Sequence, residues 1–254
     1  MSHRFKSKRS VPRSFVSGTN HNAAAEEQTK AENPPGDMLH RILNSEGERV
    51  HCKLDAFEAS HFVVAANYAD LVRSINYAVA NQRALRALSN RRALYAFQAD
   101  NLRLVHNFVA GAFSFRDHTW ALMRELSAVG DPLMREYEQK VAEVFADSLV
   151  AGFVQDLRNW SVHRGILPVA FQSTYNVGRQ EFVSSLVFSL DTLRSWKGWN
   201  SRAKKFLATL DESPELMDVF SRYFSDVESF YSWLVQRIRQ TTAVQNSHKN
   251  SGPC

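Results

Sequence analysis

The chain has 254 residues, 44% hydrophobic and 22% charged, with 10 Gly, 7 Pro and a formal net charge of +5. It is long enough for one large core and too apolar to be wholly disordered or collagen-like. Cys52 and Cys254 are too few and too far apart for a disulfide framework or a zinc site, which predicts a reducing, cytoplasmic setting.

Residues 1–36 are expected to form a flexible basic and polar tail. The first 13 carry Arg4, Lys6, Lys8, Arg9 and Arg13 without an acid. Removing these five from the 31 basic residues leaves 26 against 26 acidic ones, so the basic character belongs to the tail, not to the body. The Arg/Ser-rich start resembles an organelle transit peptide, but its apolar residues make no amphipathic stripe, which favours a plain extension. Residues 37–242 are expected to fold as a single domain and 243–254 to be a second flexible tail.

Within that domain the period is helical first. Phe57, Phe62, Val63, Ala66, Leu71, Val72, Ile75 and Val79 predict a helix over about 56–88. After a break at Ser89-Asn90, Leu94 through Leu126 predict another over about 91–128. Gly130-Asp131-Pro132 supplies a stop, an N-cap and a first helical residue, and a third run continues from Leu133 to His163. Arg164, Gly165 and Pro168 then read as a helix C-terminus. Residues 169–192 change to a two-residue period, with Phe182, Ser184, Leu186, Phe188 and Leu190 on one parity, and predict a β-hairpin. Helical period returns over about 198–210 and again after Ser213-Pro214-Glu215. The expected fold class is all-α: an antiparallel up-and-down bundle of four long helices with a small β-hairpin insertion. No stretch approaches the 18 or so apolar residues of a membrane span, so no membrane partner is expected.

Gly-rich phosphate loops, His-Glu-x-x-His, paired cysteines and a Gly-x-Ser-x-Gly elbow are all missing, and no metal or cofactor is expected. What remains is polar matter inside apolar helices. The first such place is Arg158-Asn159-Trp160-Ser161-Val162-His163. Arg followed directly by Asn and then, after three intervening residues, by His is expected by chance only roughly 0.05 times in such a chain, whereas Arg and His at loose spacing alone carry no information. This motif, with Leu157 before it and Leu167-Pro168 after, resembles the HEPN superfamily, higher eukaryotes and prokaryotes nucleotide-binding proteins, over about residues 56–167, with about 214–240 as a further candidate stretch. The resemblance implies a metal-independent endoribonuclease that cleaves RNA by 2′-hydroxyl attack, acts as a homodimer, and serves in toxin–antitoxin or phage-defence systems with an antitoxin protein as partner. It implies His163 for proton transfer, Arg158 for charge on the phosphorane, and Asn159 to orient His163 or the phosphate. At 100° per residue Arg158 and His163 lie about 140° apart, so a shared phosphate would need two copies facing each other.

Two other readings stand beside it. A non-catalytic HEPN-like helical module would bind a nucleotide, RNA or a protein. A purely structural helix end would use Arg and His on free carbonyls, pair Arg158 with Asp117 or Asp147, and spend Asn159 on a neighbouring loop.

The second place is the middle helix. Arg103, His106, Asn107, Ser114, Asp117 and His118 are candidates for a substrate groove beside Arg158 and His163, or for polar contacts satisfied between helices. The aromatic stripe Phe220, Tyr223, Phe224, Phe230, Tyr231 and Trp233 has core spacing. Trp196 and Trp199, flanked by Lys197, Arg202, Lys204 and Lys205, suit an exposed nucleic-acid contact.

Overall fold

The structure, a computed structural model, describes residues 46–80, 90–127, 131–178 and 180–250. The predicted tail 1–36 lies outside the described residues. Among those described, seven α-helices and a π-helical turn accompany one two-stranded antiparallel sheet.

Helix α1 (Glu46–Ala80) starts well before the predicted 56, because Val50 and Leu54 extend its buried stripe backwards with too few apolar residues to be legible in sequence. Helix α2 (Arg91–Leu126) begins where the sequence places it. Asn90 caps it, its side-chain oxygen accepting from the N–H groups of Arg92 (2.9 Å) and Ala93 (3.3 Å). The two helices run antiparallel in close contact: Lys53 meets Glu125, Ser60 meets His118, and Asn67 meets Asn107. Gly111 permits this approach, since a Cβ there would stand 3.3 Å from the Asn67 amide and 3.8 Å from the Val64 backbone.

The predicted third run is interrupted. Asp131 caps helix α3 (Pro132–Val141) through the Leu133 N–H at 2.7 Å, and Pro132 takes the first position, as expected. Then a π turn spans Ala142–Ala146, and Ser148 caps a new helix, α4 (Leu149–His163), through the Ala151 N–H at 3.1 Å. The break occurs because the Arg202 guanidinium, from a distant part of the chain, donates to the Phe145 and Ala146 carbonyls at 2.6 and 3.0 Å. Helix α4 ends as the sequence demands. The Arg164 N–H reaches the Trp160 carbonyl at 2.8 Å, and Gly165 turns the chain at φ 128°, a left-handed value that suits glycine.

Strands β1 (Val169–Asn176) and β2 (Glu181–Phe188) pair antiparallel from Val169↔Phe188 to Asn176↔Glu181. Ser184, Leu186 and Phe188 face the core, so the predicted parity holds. The strand stops at Phe188 instead of 192: Ser189 starts a short helix, α5 (Leu190–Ser195), followed by α6 (Ser201–Ala208) and α7 (Leu216–Asn250). Ser213 does not cap α7. It accepts the Leu190 N–H at 3.4 Å, while Pro214 accepts the Phe188 N–H at 3.0 Å and Glu215 bridges to Val187, so this segment is pinned along β2. Helix α7 continues past residue 242 to Asn250.

Phe108, Phe153, Phe188 and Phe220, from α2, α4, β2 and α7, are fully buried and join these elements in one core. Helix α1 also runs antiparallel to α7, through Glu58–Arg239, His61–Glu228 and Tyr68–Ser221. The His61 ring stacks on Tyr231 with centroids 3.6 Å apart. No helix among the described residues is long and apolar enough to cross a membrane.

Candidate functional site

The last two turns of α4 separate the residues of the Arg158-Asn159-x3-His163 motif. Asn159 faces inward and donates to Asp156 Oδ1 at 2.8 Å. Asp156 is buried, and its other oxygen accepts the backbone N–H of Asn200 at 2.6 Å. Asn200 in turn caps α6 through the Ala203 N–H at 2.8 Å. Asn159 therefore helps to clamp the start of α6 onto α4, and its amide is directed at Asp156 and not at His163.

Arg158, turned about 100° from Asn159 around the helix, is exposed. Its guanidinium carbon lies 4.3 Å from the centre of the Phe113 ring on α2. Arg116 lies over the same ring at 4.0 Å, and its Nε and Nη2 donate to Asp117 Oδ1 at 3.1 and 2.9 Å. Two cations thus share one aromatic side chain and only one of them is paired with a carboxylate, a ridge of net positive charge where α2 meets α4. His163, the final residue of α4, is exposed and makes no hydrogen bond to a described residue. Arg158 and His163 point about 140° apart around the helix and do not converge within one chain.

The middle-helix candidates divide the same way. His118 Nδ1 lies 2.7 Å from Ser60 Oγ, and the Asn107 carbonyl accepts from the Asn67 amide at 3.4 Å, so both belong to the α1–α2 contact. Arg103 pairs with Asp100 at 2.7 Å and, with His106, borders a groove closed by Ile166 and Leu167 just beyond the end of α4. Asp117 alone of the set reaches Arg158, through Arg116 and Phe113.

The two tryptophans of the basic cluster are withdrawn from solvent to different degrees. Trp199 is 3% exposed, donates its indole N–H to the Leu193 carbonyl at 2.7 Å and stacks on Trp160, so it is not free to stack on a base. Trp196 is half-buried and lines a groove with Lys197 and Lys204. Arg202 is turned away from it, towards the π turn.

Beside Arg116 lies a feature the sequence concealed: a cavity of about 270 Å³ between α2, α3, the π turn, α4, α6 and α7. Phe115, Val141, Phe145, Val227 and Phe230 supply apolar wall, while Arg116, Arg202, Gln155, Tyr137 and Tyr223 supply polar groups. Burial pushes the Tyr137 and Tyr223 phenols up to about 12 despite the opposing charge of Arg116, so both are neutral donors at neutral pH. The only signal that points here is the Asp147-Ser148 pair, a cap that breaks an otherwise continuous apolar period.

Comparison with known proteins found no matching family model, no matching curated protein and no matching solved structure.

Proposed function

We propose that the chain is a non-catalytic HEPN-like module, built on α1, α2, α4 and α7 as an up-and-down four-helix bundle, that binds RNA through the ridge of Arg116, Phe113 and Arg158. The observation that carries this reading is the pair of guanidiniums on one ring, of which only Arg116 is paired with a carboxylate among the described residues. Phosphates are held by such donor forks, and bases stack on guanidinium planes. Asn159, committed to Asp156, is a positioning residue for the scaffold and not for the ligand.

A second reading, RNA cleavage by 2′-hydroxyl attack in a homodimer with a toxin or phage-defence role, is favoured by one observation. Arg158 and His163 are both exposed at the end of the same helix, where a second copy is able to complete the site. In it His163 moves the proton and Arg158 stabilises the phosphorane.

The test is anisotropy of a labelled single-stranded RNA at several salt concentrations, alongside gels of the same RNA incubated in EDTA. The expected result is binding without cleavage, weakened about tenfold in Arg158→Ala with a shallower salt dependence. Cleavage in EDTA by a chain that sediments as a dimer, lost in both Arg158→Ala and His163→Ala, replaces the first reading with the second. Neither binding nor cleavage removes both.

A further inference from the structure

The cavity beside Arg116 has the make-up of a small-molecule site, a mostly apolar enclosure with a few polar groups. Its charge is one-sided: Arg116 and Arg202 line it, and no acidic side chain does among the described residues. Both guanidiniums keep donors in reserve. Arg116 spends Nε and Nη2 on Asp117, and Arg202 spends Nη1 on two carbonyls, out of five N–H groups each. The Tyr137 hydroxyl, which also borders the space, has no hydrogen-bond partner among the described residues.

The backbone supports the same conclusion. The π turn Ala142–Ala146 contributes Phe145 and Ala146 to the wall, and the two carbonyls it frees hold Arg202 in place. Such turns widen a helix locally and are frequent at functional sites. A dry cavity of roughly 150 Å³ accepts benzene, so one near 270 Å³ accepts about ten non-hydrogen atoms.

We propose that this cavity binds a small amphipathic carboxylate, its apolar body among Phe115, Phe145 and Phe230 and its carboxylate on Arg116 and Arg202. A carboxylate matches the planar donor fork, and the apolar walls exclude a strongly hydrated polyanion. The site shares Arg116 with the ridge of the RNA reading but goes beyond it: neither Arg158 nor His163 lines the cavity, so loss of RNA binding in Arg158→Ala and loss of ligand binding in the cavity are separate outcomes.

The test is a methyl NMR titration of the full chain with octanoate, an acid of matching size, against 1-octanol, its uncharged counterpart. Octanoate shifts the methyls of Ala112, Val141, Ala146 and Val227 with a Kd of about 10⁻⁴ M. Octanol binds about tenfold more weakly, and Arg116→Leu abolishes that difference. Ala112→Phe fills the space and removes both ligands; Ala146→Phe, at an exposed wall position, does the same if the buried substitution fails to fold. The proposal is overturned if about 5 mM octanoate moves none of these methyls, if acid and alcohol bind the parent chain equally, or if the shifts gather at Leu207 and Ala208 in the tryptophan groove.

Discussion

Asp156 and Arg158 stand two residues apart on α4, yet their surroundings are opposite. Asp156 is buried and closed: one oxygen takes the Asn159 amide, the other the Asn200 N–H, and nothing is left to meet a ligand. Arg158 is exposed and open, resting on an aromatic ring beside a second guanidinium. Adjacent polar residues on a helix are turned by about 100° per step, so neighbours in a motif fall to different tasks. Here the carboxylate and amide hold the scaffold, and the cation faces outward, where the proposed RNA contact would form.

Four measurements break or sharpen this contrast. The largest effect belongs to Asp156→Ala, which leaves the Asn200 N–H and the Asn159 amide without their acceptor. It is expected to cost about 2–3 kcal/mol and lower the Tm by about 5–10 °C in thermal unfolding. A loss below about 0.5 kcal/mol would show that the closed cluster is not structural.

Asn159→Ala removes one of the two bonds to Asp156 and costs about 1 kcal/mol by urea unfolding. RNA affinity stays within about twofold of the parent; a large loss there with stability intact moves Asn159 into the ligand site.

The third measurement lies away from both clusters and calibrates what an exposed ion pair contributes. Arg237 donates to both carboxylate oxygens of Glu136, with Nη2 to Oε1 at 2.8 Å, and holds its carboxyl below the ordinary value of 4.5. A lowered folded value means that the unfolded chain binds the proton better. The stabilisation is full above pH 4.5 and disappears as pH falls through the lowered folded value. Because both side chains are partly exposed, Arg237→Met changes stability near neutral pH by less than about 1 kcal/mol. Urea titrations at several pH values should show a flatter acid limb in the variant.

The smallest stability effect is expected for Arg158→Ala, under about 0.5 kcal/mol, since an exposed cation over a ring contributes little to folding. Its RNA affinity nevertheless falls. Were stability to fall by several kcal/mol instead, the ridge would be one more scaffold contact.

The ends of elements were legible in the sequence because they are local. Asn90, Asp131-Pro132 and Arg164-Gly165 do in the structure what side-chain caps and glycine backbone freedom require. The parity of Ser184, Leu186 and Phe188 was legible for the same reason, since the pleat alternates residue by residue. The break between α3 and α4 left only the local trace of its Ser148 cap, because the carbonyls freed there are satisfied by Arg202, more than fifty residues along the chain. Trp199 looked like a surface residue among lysines and is core, because its indole N–H finds the Leu193 carbonyl and its ring finds Trp160. The Arg158-Asn159-x3-His163 motif was found in the sequence, but its partners Phe113, Asp156 and Asn200 come from other turns or elements and carry no signal of their own.

By itself the sequence determined where helices start and stop, which stretch is extended, and that one helix ends in an unusual set of polar residues. All of this follows from backbone preferences and from hydrophobic period, which act over a few residues. Which polar groups are sealed and which are open, and the cavity beside Arg116, were decided only by tertiary structure. They depend on α2, α4, α6, α7 and the π turn meeting, and no local interaction specifies that meeting.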